Sequence, residues 1–190
     1  MGLQLLCSVY CASKDMIGRM FFHGPGGSGK TYVLTQVVLP VYEAYLPRAS
    51  RGAASQNSAA RLIGGSTFHY MAALTRGRQQ ELRPPSKKRL LALSRRWARL
   101  ALFFMGEISL ASPPLLAELN AAACWGRSEI TGNHDVGSFT DATLGGVLCQ
   151  IIAGDFLQLN PVRNHSLMEA PWLWLFHTYP ASSAGIFLWC

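Results

Sequence analysis

The stretch that decides the fold is Gly24-Pro25-Gly26-Gly27-Ser28-Gly29-Lys30-Thr31. It lies between a short apolar run, 20–22, and a helical pattern that begins at Tyr32. Glycine has no Cβ, so successive backbone N–H groups can turn inward around a phosphate. The start of the following helix adds partial positive charge. Strand, glycine-rich loop and helix in this order predict a phosphate-binding loop.

Two side chains at the end of this loop have defined roles in such a site. We expect the Lys30 ammonium to reach the β- and γ-phosphates of a nucleotide and the Thr31 hydroxyl to hold Mg²⁺. The alternative is a surface turn rich in small residues. The strand and the helix on either side favour the phosphate-binding loop.

Composition and charge limit the class of protein. The chain has 190 residues, of which 49% are hydrophobic, so we expect one globular domain over 1–190. The formal net charge of +7 hints at a polyanionic partner. The five cysteines are scattered without zinc-ligand spacing, and no apolar run approaches the ~20 residues that span a bilayer. These features predict an intracellular protein with no membrane partner and no Cys/His metal site.

Apolar runs and helical periodicities alternate along the chain. We predict buried strands at 16–24, 101–105 and 146–153, a weak strand with a loop at 48–57, and a last apolar strand at 186–189. Helices are predicted at 29–46, 68–74, 87–100, 113–124 and 172–177, and the helix at 87–100 has Leu90, Leu93, Trp97 and Leu100 on one face. Residues 125–143 have the composition of a loop. Alternating strands and helices predict a three-layer α/β fold, with helices on both faces of a mainly parallel sheet. Right-handed crossovers then place the phosphate-binding loop at the carboxyl ends of the strands.

Two more segments follow predicted buried strands. Glu107 stands just past one strand, where a base that positions an attacking water is expected. It could also be an ordinary surface glutamate at a strand end. Gln158, in the segment 153–162, could hydrogen-bond a γ-phosphate and sense its loss.

These segments together resemble the PIF (petite integration frequency) family of DNA helicases, relatives of the RecD-like group in helicase superfamily one. The family's motifs are similar, in order, to 24–31, 59–69, 106–110 and 154–162. The resemblance runs from about residue 19 to the end of the chain. It implies a RecA-like P-loop NTPase domain that uses ATP and Mg²⁺.

The resemblance also implies an activity and the residues that carry it. The family hydrolyses ATP to move 5′ to 3′ on single-stranded DNA, with roles in DNA repair, recombination or telomere maintenance. Lys30, Glu107 and Gln158 would be catalytic, and Ser66, Thr67 and His69 would bind DNA. Ser66 and Thr67 could equally cap the helix that follows, and the two roles are compatible. The nucleus is the expected compartment, with the mitochondrion as the alternative.

Two departures from the family pattern mean that membership of the family does not by itself predict that this chain hydrolyses ATP. Gly106 stands where the family has an aspartate linked to Mg²⁺, and Asp155 is a candidate to compensate. The family's second motor domain, which supplies an arginine to the γ-phosphate, is not expected within these 190 residues. The alternative to an active motor is therefore an inactive or truncated relative that binds nucleotide without unwinding. A small-molecule kinase would share only the loop.

A basic cluster lies between the second and third motifs. Nine residues carry its charge, with only Glu81 opposing: Arg76, Arg78, Arg83, Lys87, Lys88, Arg89, Arg95, Arg96 and Arg99. Such a density of charge would attract a nucleic-acid backbone, but a solvated helix face has the same pattern. Both interpretations stay open.

Overall fold

The computed structural model describes residues 18–45, 47–74, 84–131, 143–157, 161 and 166–167. They form two compact units. Those of the first unit fall within 1–67, 100–108 and 147–159, and those of the second within 68–99, 109–146 and 160–190. A single domain over 1–190 stays a prediction.

The first unit contains a five-stranded sheet in which every neighbouring pair is parallel. Its strands are β1 (Gly18–His23), β2 (Ser50–Ala54), β3 (Ser66–Thr67), β4 (Leu102–Gly106) and β5 (Cys149–Gly154). Their order across the sheet is β1-β5-β4-β2-β3. The predicted α/β fold with a mainly parallel sheet is confirmed.

The register of the strands brings their carboxyl ends to one edge. His23, the last residue of β1, pairs with Gly154, the last residue of β5. Ala54 of β2 likewise pairs with Gly106 of β4. Because Met105 of β4 pairs with Ile152 of β5, the segments that follow these four strands begin within about one residue of the same level.

Burial along the strands corrects one expectation. The five residues of β4 are all buried, as predicted for an apolar strand with neighbours on both sides. The strand β1 was also predicted to be buried, but of its six residues only Phe22 is. It lies at an edge of the described sheet, where one flank has no strand beside it.

The helix after the phosphate-binding loop changes its hydrogen-bond pattern midway. It runs as α1 (Lys30–Val33), a π-helical turn (Leu34–Val38) and α2 (Leu39–Tyr45). Pro40 has no N–H to donate to a carbonyl four residues earlier, and its ring crowds that carbonyl, which favours the wider π turn just before it. Leu34 is fully buried and anchors this turn in the core of the unit.

That core joins the helices to the sheet. Its buried members are Phe22, Leu34, Ala54, Ala60, Ile63, Leu102, Phe104, Ile151 and Ala153. Ala60 and Ile63 come from the helix α3 (Asn57–Leu62) and its C-cap. They hold the region before β3 against the sheet.

The sequence did not predict that residues 66–67 form a strand, and their role as a helix cap stays a prediction. Ser66 and Thr67 form β3 and pair with Ala53 and Ala54 of β2. The helix α4 (Phe68–Met71) begins directly after them and is shorter than the predicted 68–74. Pairing with β2 required a contact between segments apart in sequence, which local cap chemistry could not show.

The second unit is built around α4, α5 (Lys87–Trp97) and α6 (Pro113–Thr131). The Ser86 hydroxyl caps α5 by accepting a hydrogen bond from the Arg89 N–H at 3.4 Å. Leu93 and Trp97 are fully buried, as the predicted apolar face required. The Trp97 indole N–H donates to the Met71 carbonyl at 3.0 Å and ties α5 to the end of α4.

The helix α6 is longer than predicted. It continues to Thr131, so the predicted loop from residue 125 is wrong over its first seven residues. Gly126 lies against α5, where a Cβ would come within 2.8 Å of the Leu93 carbonyl oxygen. The Arg127 guanidinium donates to the Trp97 carbonyl at 3.1 Å and the Gly145 carbonyl at 2.7 Å. These contacts hold the last turns of α6 in place.

The predicted elements at 172–177 and 186–189 fall outside the described residues. None of the helices that the structure describes combines the length and hydropathy needed to cross a membrane.

Candidate nucleotide-binding site

The phosphate-binding loop joins β1 to α1 as the sequence predicts. Gly27 and Gly29 have φ angles of 75° and 85°, in the left-handed region that favours glycine. Gly29 is the N-cap residue of α1 and offers no side chain to cap it. Glycine thus occupies the two loop positions with left-handed backbone, and the helix start that follows has partial positive charge that attracts an anion.

Lys30 lies across the loop. Its Nζ donates to the Gly24 carbonyl at 2.6 Å and the Pro25 carbonyl at 2.9 Å, and the Ser28 hydroxyl lies at 3.5 Å. The ammonium is thus held at the concave side of the loop by main-chain oxygens. This position gives the charge a fixed place before any phosphate arrives.

Glu107 follows β4 directly and has a strained backbone. Its φ is 53°, which costs a residue with a side chain roughly 1–2 kcal/mol. The Ser55 hydroxyl donates to the Glu107 carbonyl at 3.1 Å and supports this conformation. Strain of this kind often marks functional sites, where the surrounding structure maintains it.

Glu107, Lys30 and Thr31 meet at a small cavity. Its volume is about 40 Å³, room for roughly three water molecules. The lining residues are Lys30, Thr31, Ala59, Leu62, Ile63, Phe104, Gly106, Glu107 and Ala153. The structure therefore brings Lys30 and Thr31 of the loop and Glu107 at the end of β4 to one cavity with room for a few waters.

Gly106 faces an aromatic ring. A Cβ at this position would lie 3.3 Å from Cε1 of Phe104 and 3.6 Å from the Ala54 Cβ. Phe104 is almost completely buried, so its ring has little room to move aside. An aspartate at 106 would require the ring to shift by a few tenths of an ångström, a tight contact that the sequence motif did not reveal.

Asp155 stands one residue past β5 and is buried. Its Oδ2 accepts a hydrogen bond from the Gly26 N–H at 3.1 Å, and its Oδ1 accepts one from the Leu157 N–H at 3.0 Å. The sequence suggested Asp155 only as a substitute magnesium ligand, and that role stays a prediction. Its contact with the loop spans 129 positions in the chain and has no local sequence signal.

The other predicted site residues are distributed as follows. Ser66 and Thr67 are half-buried in β3, and His69 is exposed on α4. Gln158 lies outside the described residues. Among the residues that the structure does describe, no group of three His, Cys, Asp or Glu could hold a metal ion.

Comparison with known proteins identifies the family. The family model described as PIF1-like helicase matches residues 6–171. The chain belongs to the PIF1-like helicase family. The ATP-dependent DNA helicase PIF1 of Xenopus laevis is 29% identical over 148 residues, which are 78% of this chain and 21% of that protein. The chain thus spans about a fifth of the length of the curated relatives that it matches.

Solved structures support the family assignment and the fold. The Pif1 helicase from Candida albicans matches with a TM-score of 0.58 and 26% identity, over 75% of this chain and 30% of that one. The Pif1 helicase from Bacteroides in complex with ADP-AlF3 and single-stranded DNA matches with a TM-score of 0.56 and 25% identity, over 86% and 33%. The chain therefore has the RecA-like P-loop fold of PIF1-like helicases.

Proposed function

We propose that this chain is a nucleotide-binding motor domain of an ATP-dependent DNA helicase. It binds ATP with Mg²⁺ and hydrolyses it to drive 5′ to 3′ movement on single-stranded DNA. The observation that carries the proposal is the meeting of Lys30, Thr31 and Glu107 at one small cavity beside the phosphate-binding loop. The names of the relatives, all ATP-dependent DNA helicases, support it.

Each residue of the site has a role in this proposal. The loop amides and Lys30 bind the phosphates, and Gln158 senses the γ-phosphate. Glu107 accepts a hydrogen bond from the attacking water and orients it. Thr31 is the side chain that fits Mg²⁺, which supplies charge neutralisation at the β- and γ-phosphates. Gly106 contributes no ligand, so the metal is held by fewer protein oxygens than the family motif provides.

The DNA side of the proposal rests on the second motif. Ser66 and Thr67 donate hydrogen bonds to a backbone phosphate, and His69 adds a contact from α4. The Bacteroides relative was solved with single-stranded DNA bound, which supports DNA as the partner. By the same family argument the protein is intracellular, in the nucleus or the mitochondrion, and acts in DNA repair, recombination or telomere maintenance.

A second candidate function is nucleotide binding without turnover. The packing of Phe104 against Gly106 favours it, because the family's acidic ligand is absent and its place is crowded. The loss of a ligand or its support typically costs about 10–100-fold in metal affinity or activity. Binding by the loop would remain.

ATP turnover with and without single-stranded DNA tests the proposal. The wild-type chain is compared with Lys30→Ala, which removes the ammonium, and with Gly106→Asp, which restores the acid. Turnover of the wild type that DNA stimulates excludes the non-catalytic candidate. Nucleotide binding with no turnover in the wild type or Gly106→Asp supports that candidate. ATP affinity unchanged in Lys30→Ala would overturn both.

A further inference from the structure

The fourth motif, 154–162, contacts the phosphate-binding loop through one carboxylate, that of Asp155. Because His23 and Gly154 pair at the ends of β1 and β5, the loop and the turn after β5 leave neighbouring strands at the same level. Asp155 is the first residue of that turn and is 3% exposed. Its side chain therefore lies beside the loop, away from solvent.

Each of its two oxygens has a main-chain partner. Oδ2 accepts from Gly26 inside the loop, and Oδ1 accepts from Leu157 inside its own turn. A carboxylate accepts stronger hydrogen bonds than a neutral oxygen, and a buried one needs such donors. One side chain thus ties the loop to the turn that leads into Gln158.

We propose that Asp155 is a positioning residue for nucleotide binding. It fixes the main chain of the loop at Gly26, so that the glycine-rich segment is held ready for phosphates instead of being ordered when they bind. This inference rests on the proposed function, because it assumes that the loop takes a nucleotide.

The proposal differs from a magnesium role for Asp155 in one measurable respect. A metal ligand supports nucleotide binding only when the metal is present. A loop tie acts on the protein itself and supports binding with Mg²⁺ or with EDTA. Nucleotide affinity measured under both conditions therefore separates the two roles.

The experiment is a titration of the 190-residue chain with mant-ADP, a fluorescent ADP analogue, in Mg²⁺ and in EDTA. The variants are Asp155→Ala, which removes both hydrogen bonds, and Asp155→Asn, which keeps one acceptor oxygen. The matched control is Glu43→Ala. Glu43 also accepts a main-chain hydrogen bond, from the Arg48 N–H at 3.2 Å, and it lies in α2, beyond α1 and the π-helical turn that follow the loop.

We expect Asp155→Ala to weaken mant-ADP binding roughly tenfold or more in both conditions, since it removes charge-assisted hydrogen bonds. Asp155→Asn should lose less affinity, and Glu43→Ala none. Binding is measured well below each variant's melting temperature, so a merely structural role would lower that temperature and leave the affinity unchanged. If Asp155→Ala is unfolded, Asp155→Asn decides in the same way.

Several outcomes would overturn the inference. Wild-type mant-ADP affinity in the Asp155 variants, or a loss of affinity that occurs only with Mg²⁺, would overturn the inference and leave the proposed function intact. A loss of the same size in Glu43→Ala would also count against it. A wild-type chain that takes up no mant-ADP in either condition would overturn the proposed function as well.

Discussion

At the scale of single residues, the site combines features that favour catalysis with one that opposes it. Lys30 is held over the loop by the carbonyls of Gly24 and Pro25. Glu107 keeps a strained backbone at the edge of the cavity. By contrast, Gly106 replaces the acidic residue of the family, and the Phe104 ring lies close to where that side chain would be. The rate of ATP turnover by the wild-type chain measures the net effect of these features.

The strain at Glu107 predicts an opposition between stability and function. Glu107→Gly should raise the free energy of unfolding by up to about 1 kcal/mol, because glycine adopts a positive φ without cost. Glu107→Ala keeps the strain and should not stabilise. Urea denaturation measures both, and ATP turnover should be lost in both. Equal stabilisation by alanine would show that the backbone strain is not the cause.

The crowding at Gly106 predicts coupling with Phe104. Gly106→Asp alone should lower the free energy of unfolding by roughly 1–3 kcal/mol, because its Cβ and carboxylate push the buried ring. Phe104→Val makes room, so the double variant should be more stable than the sum of the single effects implies. A double-mutant cycle by urea denaturation measures the coupling. Strict additivity would contradict it.

At the scale of elements, glycine and buried charge decide how the helices of the second unit pack. Gly126 lets α6 approach the backbone of α5 closely. Glu118 of α6 is buried and lies 3.4 Å from the Arg89 guanidinium of α5. The same guanidinium also donates to the Ala72 carbonyl and lies 5.5 Å from the centre of the Trp125 ring. Arg89 therefore links α5 to α6 and to the residue that follows α4.

Close packing at Gly126 outweighs helix propensity. Alanine is favoured over glycine by about 1 kcal/mol within a helix, yet we expect Gly126→Ala to destabilise the chain. Its Cβ would lie 2.8 Å from the Leu93 carbonyl oxygen and 2.9 Å from the Trp97 Cβ, so α5 or α6 must shift. Thermal unfolding measures the effect, with exposed Leu91→Ala as the control. A higher melting temperature in Gly126→Ala would contradict this packing.

Burial of Glu118 predicts a pH-dependent stability. Desolvation raises the pKa of Glu118 above its usual 4.5, although Arg89 acts in the opposite direction. A raised pKa in the folded state means that this group stabilises most below about pH 4.5 and loses that contribution as the pH rises through the folded pKa. Glu118→Gln mimics the protonated form, so its stability relative to wild type should increase over that range. Denaturation series at several pH values test this, and a difference that does not vary with pH would refute it.

At the scale of the whole molecule, net charge and family membership both favour the DNA partner proposed above. The net charge of +7 suits a polyanion. The chain spans about a fifth of the length of its curated relatives, so the proposed DNA binding is tested on this chain itself.

Single-stranded DNA should bind in a salt-dependent manner. We expect the affinity, measured by fluorescence anisotropy, to fall tenfold or more between about 50 and 200 mM salt, as counterion release requires. His69→Ala should weaken binding at every salt concentration. Binding that is insensitive to salt would contradict a phosphate-based contact.

The double variant Lys88→Gln/Arg95→Gln, at two exposed positions of α5, tests whether this basic helix contributes to DNA binding. If the affinity of the variant for DNA depends less steeply on salt than that of the wild type, this helix contacts the DNA backbone. An unchanged dependence would leave it as a solvated face.

The sequence alone determined the features that rest on local chemistry. The glycines, Lys30 and Thr31 located the phosphate-binding loop, because few other arrangements need those residues between a strand and a helix. The apolar run at 101–105 predicted a buried strand, and 102–105 are buried in β4. The spacing of Leu93 and Trp97 predicted the inner face of α5. Glu107 could be placed at the site since it directly follows that strand.

Only the tertiary structure decided the features that depend on residues distant in sequence. The pairing of Ser66 and Thr67 with β2, the continuation of α6 past Cys124 and the crowding of Gly106 by Phe104 all arise from such contacts. So does the hydrogen bond from Gly26 to Asp155. Periodicity and capping patterns report on neighbours within a few positions, whereas packing and hydrogen bonding across a sheet are settled only when separate segments meet.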